Sequence, residues 1–259
     1  MAGGDETGKE GGFVKWWRGL REMIRGMSLA MSPEKRNTAK RDVFAYYVGR
    51  PLSYPLTVPF ALARVSPNAV SFLSIVVVLA AGLLMGFAHG GKAALVGWAL
   101  FFVWNLLDGV DGNLARLRKM ESKRGSVWDA TSGYAAMFIQ PFAVGVYSYN
   151  ILADGIWPIV VGAISGMSLI FPRLVAHKAT TEGVLAGAKS LTAAPRPSFF
   201  TLTALNLTSV TGLAQPILLA SILFGVCPLY TGVFAVINLA AMLAALAKVL
   251  VSSGQPERQ

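Results

Sequence analysis

Six runs of predominantly apolar residues lie along this chain, at approximately 68–89, 93–117, 125–149, 156–175, 203–225 and 229–251. Each is close to the roughly 20 residues that a helix needs to cross the hydrocarbon core of a bilayer. Inside that core the backbone must satisfy its own hydrogen bonds, and a helix does so within one segment. The runs predict an all-α polytopic membrane protein, a bundle of six transmembrane helices over residues 67–252. Only 14% of the residues are charged, well below the roughly 25% usual in soluble domains. The length, 259 residues, suits one bundle.

The net charge of +10 is unevenly placed. Basic residues concentrate between Lys9 and Arg50, at Arg116 to Arg124, and at Arg173 to Arg196. The alternate links, 89–92, 150–155 and 226–228, carry one lysine and no arginine. The positive-inside rule then places both termini and the basic loops in the cytoplasm. Because these charges border the spans, they read as membrane flanks and exclude a nucleic-acid interface. The longest link, 178–202, reads as a mobile cytoplasmic loop.

Upstream of the spans, residues 1–12 are polar and Gly-rich and are expected to be disordered. Residues 13–66 read as interfacial and juxtamembrane helices, and 253–259 as a C-terminal tail. Within 13–31, Arg and Lys recur among Trp, Leu, Ile and Met, the pattern of an interfacial amphipathic helix. Residues 44–65 are apolar but contain Pro51, Pro55 and Pro59. Each proline removes a helix hydrogen bond, at a high cost in lipid. This segment is therefore expected to lie at the interface.

The chemistry concentrates in NLLDGVDGNLARLRKMESKRGSVWDATSG, residues 105–133. Asp108 and Asp111 are three apart, so a helix carries both on one face. Gly112 and Ala115 continue that face with almost no side chain, and Arg116 follows. Asp129 comes after a tight basic link. A short connection makes neighbouring helices antiparallel partners, so Asp129 is expected to meet the Asp108/Asp111 pair at the membrane surface. Intramembrane acids are rare and functional by default. Three together call for a cation, and Mg²⁺ or Mn²⁺ is the natural one for carboxylate oxygen. Carboxylates, a small-residue face and an arginine suit a metal-bound diphosphate. His89 and His177 are isolated at span ends, and nothing indicates zinc. Cys227 has no partner cysteine and reads as a small apolar residue.

This pattern resembles the signature of the CDP-alcohol phosphotransferases, D-x2-D-G-x2-A-R-x8-G-x3-D-x3-D. The match runs through Asp108, Asp111, Gly112, Ala115, Arg116, Gly125 and Asp129, with every spacing kept. Arg50-Pro51-Leu52-Ser53 and Ser66-Pro67-Asn68 also look like the family's entry segment. The resemblance covers about residues 45–250. It implies that Asp108, Asp111 and Asp129 hold one or two metal ions and act in catalysis. It also implies that Asn68, Asp108, Gly112, Ala115, Arg116 and Gly125 lie along the CDP moiety. A homodimer and a role in phospholipid or related phospho-ester synthesis are further implications.

The last signature aspartate is replaced by Gly133. In the family that position is a metal ligand and the proposed base for the acceptor hydroxyl, and glycine is neither. Three explanations stand open: an acceptor whose attacking oxygen is already ionised, a substitute group such as Gln140, or an inactive homologue retaining its cleft for scaffolding or regulation. Arg173 and Lys178 are candidates for holding an anionic acceptor. Asn206, Gln215 and Asn238, polar residues in apolar runs, read as helix–helix hydrogen-bonding groups.

Overall fold

The computed structural model describes residues 12–153, 155–181 and 198–253, and the side chains of 18–251 within them. The expectations for residues 1–11, for 182–197 of the long loop and for the tail after 253 lie outside the described residues.

Among the described residues the chain is all helix. An N-terminal part comprises α1 (Gly12–Leu29), α2 (Pro33–Ala39), a π-helical turn (Ala45–Gly49) and α3 (Arg50–Leu62). The bundle follows: α4 (Pro67–Gly86), α5 (Gly91–Leu117), α6 (Lys123–Leu152), α7 (Trp157–Thr181), α8 (Phe199–Leu207), α9 (Ala214–Leu223) and α10 (Cys227–Ser253). Five helices are long and apolar enough to cross a membrane: α4, α5, α6, α7 and α10. Leu, Val, Ile and Phe side chains such as Phe72, Leu79, Leu83 and Val236 remain exposed on their outer faces. In water such a surface would drive association, whereas a bilayer solvates it.

Local chemistry sets the helix starts. Ser66, Ser122 and Ser198 each accept a backbone N–H from three residues on, satisfying a donor that the first turn leaves free. Pro67 sits at the first turn of α4, where its missing N–H costs nothing. The interior packs α4 against α5 and α6, α6 against α7, and α7 against α10. Trp104, Phe101, Met85, Val144 and Leu218 are fully buried there.

The expected continuous span at 203–225 is divided. Helix α8 ends at Leu207 and α9 begins at Ala214. Thr208, Ser209, Thr211 and Gly212 fill the gap, and Asp42 holds it open. Its carboxylate accepts hydrogen bonds from Ser209 Oγ (2.5 Å) and Thr211 Oγ1 (3.2 Å). Asn206, expected to bridge helices, instead pins the chain around Asp42. Its amide donates to the Arg41 carbonyl (2.7 Å) and accepts from Val43 N–H (2.8 Å). Backbone that leaves the helix at membrane depth must find such partners in the protein. Asp42→Ala strands two hydroxyl donors and should cost about 1–3 kcal/mol. Thermal unfolding in detergent should show a lower midpoint.

Helix α3, within the stretch expected to hold interfacial and juxtamembrane helices, runs unbroken through Pro55 and Pro59. Hydroxyls offset part of the lost hydrogen bonding: Ser53 Oγ donates to Arg50 O (2.8 Å) and Thr57 Oγ1 to Ser53 O (2.7 Å). With 13 residues it is only about 20 Å long at 1.5 Å per residue, short of the hydrocarbon thickness. Of the other polar residues, Asn238 does bridge helices, donating to Ser165 Oγ (2.9 Å). The Gln215 side chain is buried without a partner.

Candidate active site

The site forms where the C-terminal half of α5 meets the first turns of α4 and α6. Helix α5 supplies Asp108, Asp111, Gly112, Ala115 and Arg116, α4 supplies Asn68, and α6 supplies Gly125 and Asp129. The link from Leu117 to Lys123 is short, so α6 returns directly past α5. As a result the carboxyl groups of Asp108 and Asp129 face each other within hydrogen-bond reach, and Asp111 lies within electrostatic range of both. Burial decreases along the trio: Asp111 is 5% exposed, Asp108 is half-buried and Asp129 is open to the surface.

A layer of serines beneath the acids holds the three helices in register. Ser71 Oγ donates to the Asp111 carboxylate in a short hydrogen bond. One turn deeper, Ser74 Oγ and Ser132 Oγ are 2.6 Å apart, and Trp104 Nε1 donates to Ser132 Oγ (2.9 Å). These residues were not singled out from the sequence. A signal exists, since Asn68, Ser71 and Ser74 are three apart on α4, and Ser132 follows Asp129 by three on α6. Asn68 reaches toward α6: a Cβ at Gly125 would sit 3.3 Å from Asn68 Oδ1.

Two arginines border the acids, and neither closes a salt bridge onto them among the described residues. Arg116 folds back over Gly112, where a Cβ would lie 3.2 Å from its guanidinium, and donates to Asn113 Oδ1 (2.9 Å). Arg50, at the start of α3, is within electrostatic range of both Asp108 and Arg116. The Nε atoms of both arginines are buried without a partner. A buried donor with no acceptor is costly, and a phosphate oxygen is a suitable acceptor.

Among the described residues, no three His, Cys, Asp or Glu side chains are gathered closely enough to hold a metal ion as they stand. Asp108 and Asp129 form a pair, while Asp111 is engaged by Ser71. The donor chemistry nonetheless suits a hard divalent cation, since two facing carboxylates without a cationic partner need positive charge between them.

Position 133 is open. A Cβ there would meet only Met137 Cε, at 4.0 Å. Arg173 approaches the same place from α7, with Nη1 2.9 Å from Met137 Sδ, a weak acceptor for a guanidinium. Lys178 stays exposed in the last turn of α7. Gln140 is buried two turns below Gly133, with both side-chain polar atoms unpartnered. It borders a separate small cavity with Ser165, Thr231 and Asn238.

Comparison with known proteins places this arrangement. No protein of curated description matches the chain. The family model for CDP-alcohol phosphatidyltransferase matches residues 64–243. That stretch runs from just before the cap of α4 into α10. It takes in the facing aspartates, the serine layer beneath them and the helices that hold both, so the chain is a member of the CDP-alcohol phosphatidyltransferase family.

Proposed function

We propose that this protein transfers a substituted phosphate from a CDP-alcohol to an anionic acceptor, releasing CMP. The observation that carries this reading is the facing pair Asp108 and Asp129, beside Asp111 and the unpartnered Nε atoms of Arg50 and Arg116. Asp108, Asp111 and Asp129 would hold Mg²⁺ or Mn²⁺. When bound, such an ion neutralises diphosphate oxygens and stabilises the charge of an in-line displacement. Asn68, Gly112, Ala115, Arg116 and Gly125 would line the CDP moiety, with the small residues allowing close packing. The acceptor oxygen forms a bond to the phosphorus distal to the cytidine, and the bond from that phosphorus to the CMP oxygen breaks.

Gly133 bears on the acceptor. A carboxylate at 133 would serve an acceptor hydroxyl that must lose a proton. An acceptor already ionised at its attacking oxygen needs no such base, and Arg173 would offer it a cation beside the open space. The reaction would take place at the cytoplasmic face, with both termini on that side, α1 at the interface and two copies forming a dimer. Phospholipid or related phospho-ester synthesis is the setting in which such a transfer is used.

CMP release from a panel of CDP-alcohols, with Mg²⁺ or Mn²⁺ and with phosphate-bearing or hydroxyl acceptors, tests the reading. Turnover with an ionised acceptor is expected. Binding of CDP-alcohol without CMP release across the whole panel would favour the second reading, an inactive homologue with a retained cleft, which the missing carboxylate at 133 supports. Gly133→Asp tests the role of position 133 itself. The site has room for the side chain, so the variant should fold. It should gain turnover with hydroxyl acceptors, by on the order of 10²-fold, a usual contribution of a general base. No gain with any hydroxyl acceptor would contradict the role given to position 133.

A further inference from the structure

Arg116 is held by a relay that begins on α3, outside the signature. Gly109 lets α3 and α5 approach closely: a Cβ there would fall 2.8 Å from Ser53 Cβ. At that contact the Asn113 amide, 1% exposed, donates through Nδ2 to Ser53 Oγ and Thr57 Oγ1, both at 3.1 Å. Both hydroxyl protons are already committed to α3 carbonyls, so toward Asn113 these oxygens can only accept. This fixes the orientation of the amide. Its NH₂ must face α3, and its Oδ1 must face α5, where it accepts from Arg116 Nη2 at 2.9 Å. The result is an arginine folded over Gly112 with Nε buried and unpartnered.

We infer that Asn113, anchored by Ser53 and Thr57, is a positioning residue that aims the Arg116 guanidinium at the diphosphate of the donor. Asn113 would touch no substrate; its effect passes through Arg116. The ligand class follows from the donor left open, which is an N–H of a cationic fork and suits a phosphate oxygen. This inference rests on the donor-binding reading of Arg116, so its test has one arm that needs no ligand.

In the first arm the full-length protein, labelled with ¹⁵N-arginine in nanodiscs, is examined by NMR, with Arg116→Lys assigning the Arg116 side-chain signals. The wild type should show slowed rotation of the Arg116 guanidinium. Asn113→Ala, and Ser53→Ala with Thr57→Val, should collapse those signals to an averaged set. Unchanged signals in both variants would overturn the relay. In the second arm, CDP-alcohol is titrated with Mg²⁺ present. Asn113→Ala should weaken binding about 10-fold, the scale of a hydrogen bond to a charged group. In an Arg116→Ala background the same substitution should add no further loss. A loss that adds in full in that background would mean Asn113 acts by packing alone, and would overturn the inference. If the wild type binds no CDP-alcohol while the Arg116 signals still respond to Asn113, the donor reading falls and the relay stands.

Discussion

Asp108→Asn is expected to lower CMP release by about 10³-fold, the scale at which removing one element of charge stabilisation acts on a displacement at phosphorus. The same substitution should leave the folded protein as stable as before, or more so. In the metal-free protein Asp108 faces Asp129, and neither Arg50 nor Arg116 closes a salt bridge onto them among the described residues. Two carboxyl groups at that distance cannot both ionise without cost, and an amide in place of one of them removes that cost. An amide also hydrogen-bonds to the remaining carboxylate. A residue kept for stability would give the opposite pair of results, with activity retained and the unfolding temperature lowered. Steady-state CMP release and thermal unfolding, measured on one preparation without added metal and then with it, separate these outcomes. Metal should raise the unfolding temperature of the wild type by mass action on the folded state, and should do so much less for Asp108→Asn.

The second large effect is structural and lies far from the acids. Helices α6 and α7 cross at Gly145 and Gly162 with their backbones nearly touching. A Cβ at Gly162 would lie 2.7 Å from the Pro141 carbonyl oxygen and 3.0 Å from Gly145 Cα. A Cβ at Gly145 would lie 2.5 Å from the Pro158 carbonyl oxygen. The obstacles are backbone atoms, so no side chain can turn aside. Small residues at such crossings are how helices pack in lipid, where apolar burial gives little preference for protein over acyl chain. Gly162→Leu should therefore force the helices apart and cost about 3 kcal/mol or more, beyond the usual range for overpacking. Because α6 also carries Asp129, activity should fall with stability. Gly162→Ala should show a smaller effect of the same sign. Size-exclusion profiles and unfolding midpoints in detergent report both.

The acids were legible in the sequence for a definite reason. Asp108 and Asp111 share a helix face by spacing alone, and a link as short as Leu117 to Lys123 leaves α6 little choice but to return beside α5. Five of the expected spans were legible because each is a long apolar run. The break in 203–225 was not, because its cause is Asp42, more than 160 residues away. A run of Thr, Ser and Gly between apolar stretches can continue a helix or leave it, and the partner for the freed polar groups decides. The polar contacts of the proline-rich segment were not legible either. Ser53 stood out only within Arg50-Pro51-Leu52-Ser53 and Thr57 not at all, yet their hydroxyls bond α3 carbonyls and accept from Asn113. Asn113 itself stands at a free position of the signature, where no spacing rule points to it. Long-range polar contacts of this kind depend on which helix faces which, and a periodicity reading stops short of that.

In the proposed function Asp108, Asp111 and Asp129 grip a divalent ion that in turn meets the diphosphate of a CDP-alcohol. The most direct test is ³¹P NMR of a CDP-alcohol in the presence of the nanodisc-embedded protein and substoichiometric Mn²⁺. Both phosphorus resonances should broaden strongly with the wild type, and should remain as sharp with Asp108→Asn/Asp129→Asn as in a protein-free control. Equal broadening by both proteins would show that the metal and the diphosphate meet somewhere other than between these aspartates.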